Sequence, residues 1–216
     1  MRESLQKTSI DPITMEIVRA GMLSAADEMK LNLVRSAYTA LIYEAQDMCV
    51  AILDAKGGTV AQAAGLPLFL GTLGAAIDDG LELIGKDNFK PGDAIITNDP
   101  YTTGTHLHDV KVYSPIFFKD TLVGFAAAMA NLADIGGIAP GTWYPSTTEL
   151  YQEGIRIRSL KLYKEGQPNE DVFSFLKYNT RYSVAVSGDI RALVAACRNE
   201  NFAFLREKAD GDLVGN

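Results

Sequence analysis

Between Val110 and Asn131 the chain reads "VKVYSPIFFKDTLVGFAAAMAN", two long and nearly uninterrupted apolar stretches separated by Lys119, Asp120 and Thr121. So short a connection between two such runs predicts a hairpin with both arms packed inside a sheet. Its neighbours must come from the rest of the chain. "MCVAILD" at 48–54, followed by "AKGG", predicts a buried strand and a tight turn, with "TVAQ" as the returning strand. "FKPGDAIITNDP" gives a proline-glycine turn, a short strand and a break at Asp99-Pro100, and residues Ile155 to Tyr163 alternate as a further strand.

Helices flank these strands. Asp11-Pro12 is a start signal, a capping carboxylate followed by proline where no N–H is needed. From Ile13 to about Val34, apolar residues recur at three- and four-residue intervals (Ile13, Ile17, Ala20, Leu23, Ala26, Met29, Leu33), which predicts a long amphipathic helix. "LFLGTLGAAIDDGLELIG" predicts a second helix ending at Gly85. "NEDVFSFLKYN" offers an Asn cap with acids in its first turn, and "SGDIRALVAACRNENFAFLREKA" is a further amphipathic helix before a frayed tail. The expected fold is therefore mixed α/β (α+β), a mixed sheet with a long amphipathic N-terminal helix and a helical C-terminal third, in one domain over residues 1–216.

Charge narrows the function classes. Against 20 basic residues stand 27 acidic ones, a formal charge of -7, so nucleic acid and anionic membrane are not expected partners. No apolar run reaches the roughly 18 to 20 residues of a membrane span. The segment "MRESLQKTSIDP" lacks the apolar centre of a secretory signal, so the expected location is cytoplasmic. Cys49 and Cys197 have no CxxC partner and are expected to be reduced and buried.

Both histidines lie in "NDPYTTGTHLHDVKVY", with His106 three residues ahead of Asp109 and His108 directly before it. In an extended segment His106 and His108 face the same side. An imidazole with a carboxylate suits zinc, iron or manganese, or acid–base work, and a polar turn leading into a strand is the plainer reading. Asp47 stands at the mouth of the "MCVAILD" strand, and gains interest only where the fold brings it to His106. Asn131 and Asp134 precede paired glycines, where Asp134 is expected to cap its own backbone. There is no GxxxxGK[ST], no strand-GxGxxG-helix unit and no GxSxG elbow, so any ATP is expected to be bound by a partner.

"TNDPYTTGTHLHDVKVYSPIF" resembles the "NDPYxGGTHLPD" segment of the hydantoinase B (HyuB-like) family. "ANLADIGGIAPGTW" is similar to its "HHADIGGxxPGS", and "YQEGIRIRSLKLYKEGQPNEDVF" and "SGDIRALVAACR" resemble its "EEGxRIPPxKLYxxGxxNEDV" and "GDLRAQxAAC". The matches keep their order from about Asp11 to about Arg206. Relatives include N-methylhydantoinase and 5-oxoprolinase subunits, caprolactamase, and acetone and acetophenone carboxylases. In them a HyuA-like ATPase subunit phosphorylates the substrate carbonyl, and the HyuB-like part completes hydrolysis or carboxylation. The resemblance implies metal ligands (zinc or manganese) at Asp47, His106, Asp109 and Asn131, with Asn131 replacing the first His of the family's "HHAD". His108 stands where relatives have Pro. The resemblance also implies a hetero-oligomer containing the HyuA-like ATPase and a chain supplying the family's C-terminal half. The expected function is the HyuB-like subunit of an ATP-dependent ketone carboxylase, with His106, His108, Asp47 and Asp109 at the reaction centre. The alternatives are an ATP-dependent cyclic amide hydrolase subunit and a non-catalytic scaffold.

Overall fold

The computed structural model describes residues 11–66, 69, 71–141 and 144–198. Its centre is one seven-stranded sheet built from β1 (Met48–Asp54), β2 (Thr59–Gln62), β3 (Ala94–Thr97), β4 (Asp109–Phe118), β5 (Thr121–Asn131), β6 (Leu160–Lys164) and β7 (Gln167–Pro168), in the order β2-β1-β5-β4-β3-β6-β7. The mixed α/β class holds, and within the sheet every neighbouring pair is antiparallel. The hairpin read from the sequence is β4–β5, paired from Asp109↔Asn131 to Phe118↔Thr121.

Both sides of the sheet are covered, which explains why its central strands read as continuous apolar runs. Met48, Val50 and Ile52 of β1 join one core cluster, and Cys49, Ala51 and Leu53 join the other. The first cluster lies under α1 (Pro12–Ser36), α5 (Glu170–Asn179) and α6 (Ser183–Cys197). The second lies under α3 (Thr72–Ile84), which ends at Gly85 with a φ of 83° that only glycine adopts freely. Short helices α2 (Ala40–Tyr43) and α4 (Pro100–Thr103) complete the set. Among the described residues no helix is long and apolar enough to cross a membrane.

Helix α1 starts as expected, with the Asp11 carboxylate accepting from the Thr14 N–H at 3.1 Å. Only its second half buries an apolar face, at Ala25, Ala26, Met29 and Leu33, while Ile13 remains 70% exposed. The expected strand from Ile155 to Tyr163 is shorter, since regular pairing begins only at Leu160. The cause is Asn98, whose side chain accepts from the Ile157 N–H at 2.6 Å and donates to the Ile155 carbonyl at 2.9 Å, replacing ladder bonds with side-chain bonds. The C-terminal helix ends at Cys197; the part of that expectation beyond Arg198, with the tail, falls outside the described residues.

The joint between α1, α2 and α6 depends on one carboxylate. Asp189, fully buried in α6, accepts from the Tyr38 N–H at 2.6 Å, the Thr39 N–H at 3.3 Å and the Thr39 hydroxyl at 2.7 Å. Asp189→Ala strands those donors, and is expected to destabilise the fold by about 2 kcal/mol. In urea the midpoint should fall with an unchanged slope.

Candidate functional site

Three strand ends meet on one side of the sheet. Asp47 directly precedes β1, Asn131 ends β5 and Asp109 starts β4. The Asn131 N–H donates to the Asp47 carbonyl at 3.1 Å, and Asn131 lies opposite Asp109 in register. Side chains on one face of a sheet repeat every second residue. The next row on that face is therefore Cys49, Met129, Lys111 and Thr97, each paired with the next.

Asp109 organises the row of strand ends. It is fully buried; one oxygen accepts from Asn131 Nδ2 at 3.0 Å, and the other accepts from the His106 backbone N–H at 2.9 Å. That second oxygen also lies 3.3 Å from His106 Nδ1, on a ring whose side chain is 49% exposed. A buried carboxylate thus fixes both the backbone and the imidazole of His106. The loop before it is rigid: Asp99 caps α4, Gly104 closes it at φ 71°, and Asn98 Nδ2 holds the Leu107 carbonyl at 2.8 Å.

Asp47 is half-buried, and its carboxyl is raised from the usual value, first by burial and then by repulsion from Asp109, with His106 pulling the other way. Asp47, Asp109 and His106 therefore share one electrostatic neighbourhood, as the sequence reading required of Asp47. His108 turns away from this row into the wall of a neighbouring cleft. It is buried, and burial lowers its pKa against the pull of Asp109, Asp134 and Glu153 and of a backbone hydrogen bond to Gly141. The imidazole is held neutral, and its Nε2 has no hydrogen-bond partner. Asn131 Oδ1 is likewise buried without one.

The cleft holds about 300 Å³ and is lined by His106, His108, Gly141, Tyr144, Gln152 and Glu153, among others. Ala139 and Gly141, which follow the glycine turn, also line it. Asp134 caps that turn by accepting from the Gly136 N–H at 3.1 Å, and its other oxygen accepts from the Arg181 N–H. At Gly137, φ 86°, an added Cβ would meet the Gln152 carbonyl at 2.6 Å, so the turn can approach the Glu153 segment only as glycine.

One residue went unread in the sequence. Lys111 is completely buried, and its ammonium donates to the Asp109 carbonyl at 3.0 Å and to the Thr105 hydroxyl. Burial pulls it down to about 8, against the attraction of Asp109 and Cys49. The signal was present, as a charge inside the apolar run and two residues from Asp109, hence on the same face. Cys49, beside it, is pushed up to about 12 by burial and stays a thiol.

Both Asp109 oxygens are engaged by His106 and Asn131, and Asn131 offers its NH₂ rather than its oxygen to the cluster. An ammonium already lies beside Asp109. Among the described residues no group of three His, Cys, Asp or Glu is arranged to hold a metal ion. As placed, Asp47, His106, Asp109 and Asn131 do not compose a donor set for a transition ion.

Asp99 supports the loop through an ion pair with Arg156, 2.6 Å away, and a bond from the Tyr101 N–H at 3.0 Å. Burial works against its charge, yet Arg156, Tyr101 and Arg158 together hold the carboxyl below its usual range. A depressed carboxylate stabilises above its unfolded value and loses that contribution as pH falls through the folded one. The stability gap between the wild type and Asp99→Asn is thus expected to be constant above about pH 5 and to close below about pH 4. Urea titrations across that range measure it.

The residues from 11 to 203 match the family model described as Hydantoinase B/oxoprolinase. The chain belongs to this family. It is 35% identical over 189 residues to the caprolactamase beta subunit of Pseudomonas jessenii, covering 88% of this chain and 32% of that one. The crystal structure of that organism's ATP-dependent caprolactamase superposes with a TM-score of 0.87 at 33% identity, over 95% of this chain and 36% of the other. The 5-oxoprolinase of Dictyostelium discoideum is 32% identical over 88% of this chain and 15% of its own length. Acetone carboxylase in its nucleotide-free form shares the fold, with a TM-score of 0.85 at 19% identity over 97% of this chain and 28% of that one. The chain thus spans about a third or less of these hydantoinase B relatives.

Proposed function

We propose that this hydantoinase B chain supplies the reaction cleft of an ATP-dependent enzyme that opens a cyclic amide, acting on a carbonyl that a HyuA-like ATPase partner has phosphorylated. The observation that carries this reading is the pair formed by Asp109 and His106. A fully buried carboxylate fixes an imidazole that is half-exposed at a cleft of about 300 Å³. Such a pair can take a proton from attacking water and return it to a leaving nitrogen. The relatives at 32–35% identity named for their substrates, caprolactamase and 5-oxoprolinase, act on cyclic amides, which supports the same assignment.

In this reading water adds to the ring carbonyl carbon and gives its proton to His106. The carbon–nitrogen bond then breaks as the nitrogen takes that proton from His106, and the acyl phosphate left behind is cleaved by a second water to carboxylate and inorganic phosphate. Asp109 keeps the imidazole oriented throughout. His108, neutral and lining the cleft with Nε2 unpartnered, accepts a hydrogen bond from the substrate. Asp47, whose carboxyl is raised by burial and by Asp109, lies in the same electrostatic neighbourhood as the pair. ATP stays on the partner. The exposed Ile13, Met15 and Ile17 of α1 provide apolar surface for partner chains to cover, as a heteromeric assembly requires.

The ketone carboxylase expected from the sequence becomes the second reading, since the caprolactamase and 5-oxoprolinase relatives are 32–35% identical and acetone carboxylase is 19%. The observation favouring it is the poor metal-donor set, since capture of carbon dioxide by an activated enol needs hydrogen-bond donors more than a metal-bound hydroxide. One assay separates the two. The chain, assembled with its ATPase partner, is offered 5-oxoproline, hydantoin or caprolactam without bicarbonate, and a ketone with bicarbonate. ADP release with a cyclic amide alone is the expected result. Release only with ketone plus bicarbonate would replace the hydrolase with the carboxylase.

A further inference from the structure

We propose that His108 selects the substrate class of this cleft, its Nε2 receiving a hydrogen bond from a ring donor other than the amide that breaks. The inference rests on the cyclic amide reading above and adds one requirement to it. The ring must carry a second N–H or O–H, as a cyclic ureide does and a plain lactam or imide does not. Among the described residues three buried polar atoms have no hydrogen-bond partner, His108 Nε2, Ser114 Oγ and Asn131 Oδ1, and of these residues only His108 lines the cleft. Buried polar atoms are nearly always bonded, so an unpartnered one in the wall of a cleft, on a residue only 4% exposed, calls for a ligand atom. Its polar neighbours in that wall are already engaged. Glu153 accepts from the Thr147 hydroxyl at 3.2 Å, Gln152 accepts from the Thr148 N–H at 2.8 Å, and His106 lies 3.3 Å from Asp109.

Position decides which part of the substrate meets this atom. Two residues of chain span at most about 7 Å, and both imidazoles line one cleft of about 300 Å³. A small ring whose carbonyl carbon is attacked beside His106 therefore presents another part of itself to His108. The backbone behind the ring is fixed, because the Val110 and Leu132 N–H groups both donate to the His108 carbonyl at 2.9 Å. A buried side chain on a fixed backbone has little freedom to lose when it binds. Selection then works by penalty. A substrate with a methylene at this point leaves Nε2 buried and unbonded, and is rejected for it. His108 takes no part in bond breaking. It is a specificity-determining residue.

The test follows ADP release by the chain assembled with its ATPase partner, offered hydantoin or succinimide, in which a methylene replaces the second ring N–H. Intrinsic reactivity of the two rings enters the wild-type ratio of kcat/KM and cancels when variants are compared. His108→Leu is expected to lower the hydantoin-to-succinimide ratio about 10- to 100-fold, the effect of losing a hydrogen bond to a buried group. His108→Gln, whose amide oxygen accepts near the same place, should recover most of it, which a purely steric role would not. Because Nε2 has no partner in the protein, the urea midpoint of His108→Leu should equal or exceed that of the wild type. A ratio that moves less than about threefold in His108→Leu overturns the assignment and leaves the cyclic amide reading standing. Turnover of caprolactam or 5-oxoproline with neither of the two test rings does the same. No turnover of any cyclic amide overturns the reading and the assignment together. A His108→Leu chain that fails to fold also overturns the assignment, since the ring would then be bonded within the protein.

Discussion

Asp109→Ala is expected to cost about 3 to 5 kcal/mol of stability, the range for removing one partner of a buried charged network. The loss has identifiable parts. The Asn131 amide loses its acceptor in a buried position, and the part-buried His106 N–H loses another. The buried Lys111 ammonium keeps its bond to the main-chain carbonyl of residue 109 but loses the attraction of the carboxylate. At roughly 2 to 4 °C per kcal/mol for a domain of this size, melting should fall by about 6 to 20 °C. Asp109→Asn separates shape from charge. It preserves an acceptor for one donor, so it should destabilise less while still failing to hold a protonated His106. A loss below about 1 kcal/mol for Asp109→Ala, by urea denaturation, would mean that the strand-end row is not the network described.

His106→Ala should show the opposite division. The ring is half-exposed at the cleft, so unfolding free energy is expected to change by no more than about 0.5 kcal/mol. ATP-coupled turnover in the assembled complex should fall about 10²- to 10⁴-fold, the usual contribution of a positioned proton-transfer group. The loss should appear in kcat, because the group acts on the reacting atoms rather than on the bound ring. Full turnover in the complex would show that this chain performs no chemistry and serves as a scaffold for an active partner.

These two variants differ because the same three-residue spacing puts His106 and Asp109 in different environments. One lies in the first residue of a buried strand, and the other lies in the loop before it. The spacing was legible in "THLHD"; the division of labour was not. His108 shows the limit more sharply. An extended backbone would have turned it to the same side as His106, but Asp109 draws the His106 N–H back on itself, and the Val110 and Leu132 N–H groups both bond to the His108 carbonyl. The chain therefore turns at this point, and the two rings reach the cleft in different settings.

Local chemistry along the chain was sufficient for several elements. Asp11-Pro12 started a helix, two apolar runs three residues apart paired as a hairpin, and Asp134 capped its own glycine turn, because each depends on groups a few bonds away. The strand expected from Ile155 failed for the converse reason, since Asn98 intercepts its backbone from 57 residues away. Asp47, Asn131 and Asp109 became neighbours only when β5 was inserted between β1 and β4. The burial of Lys111 beside them likewise needs the helix that covers that face. Periodicity can say which side of a strand a residue takes, but which strands adjoin, and what lies over them, is set by long-range packing.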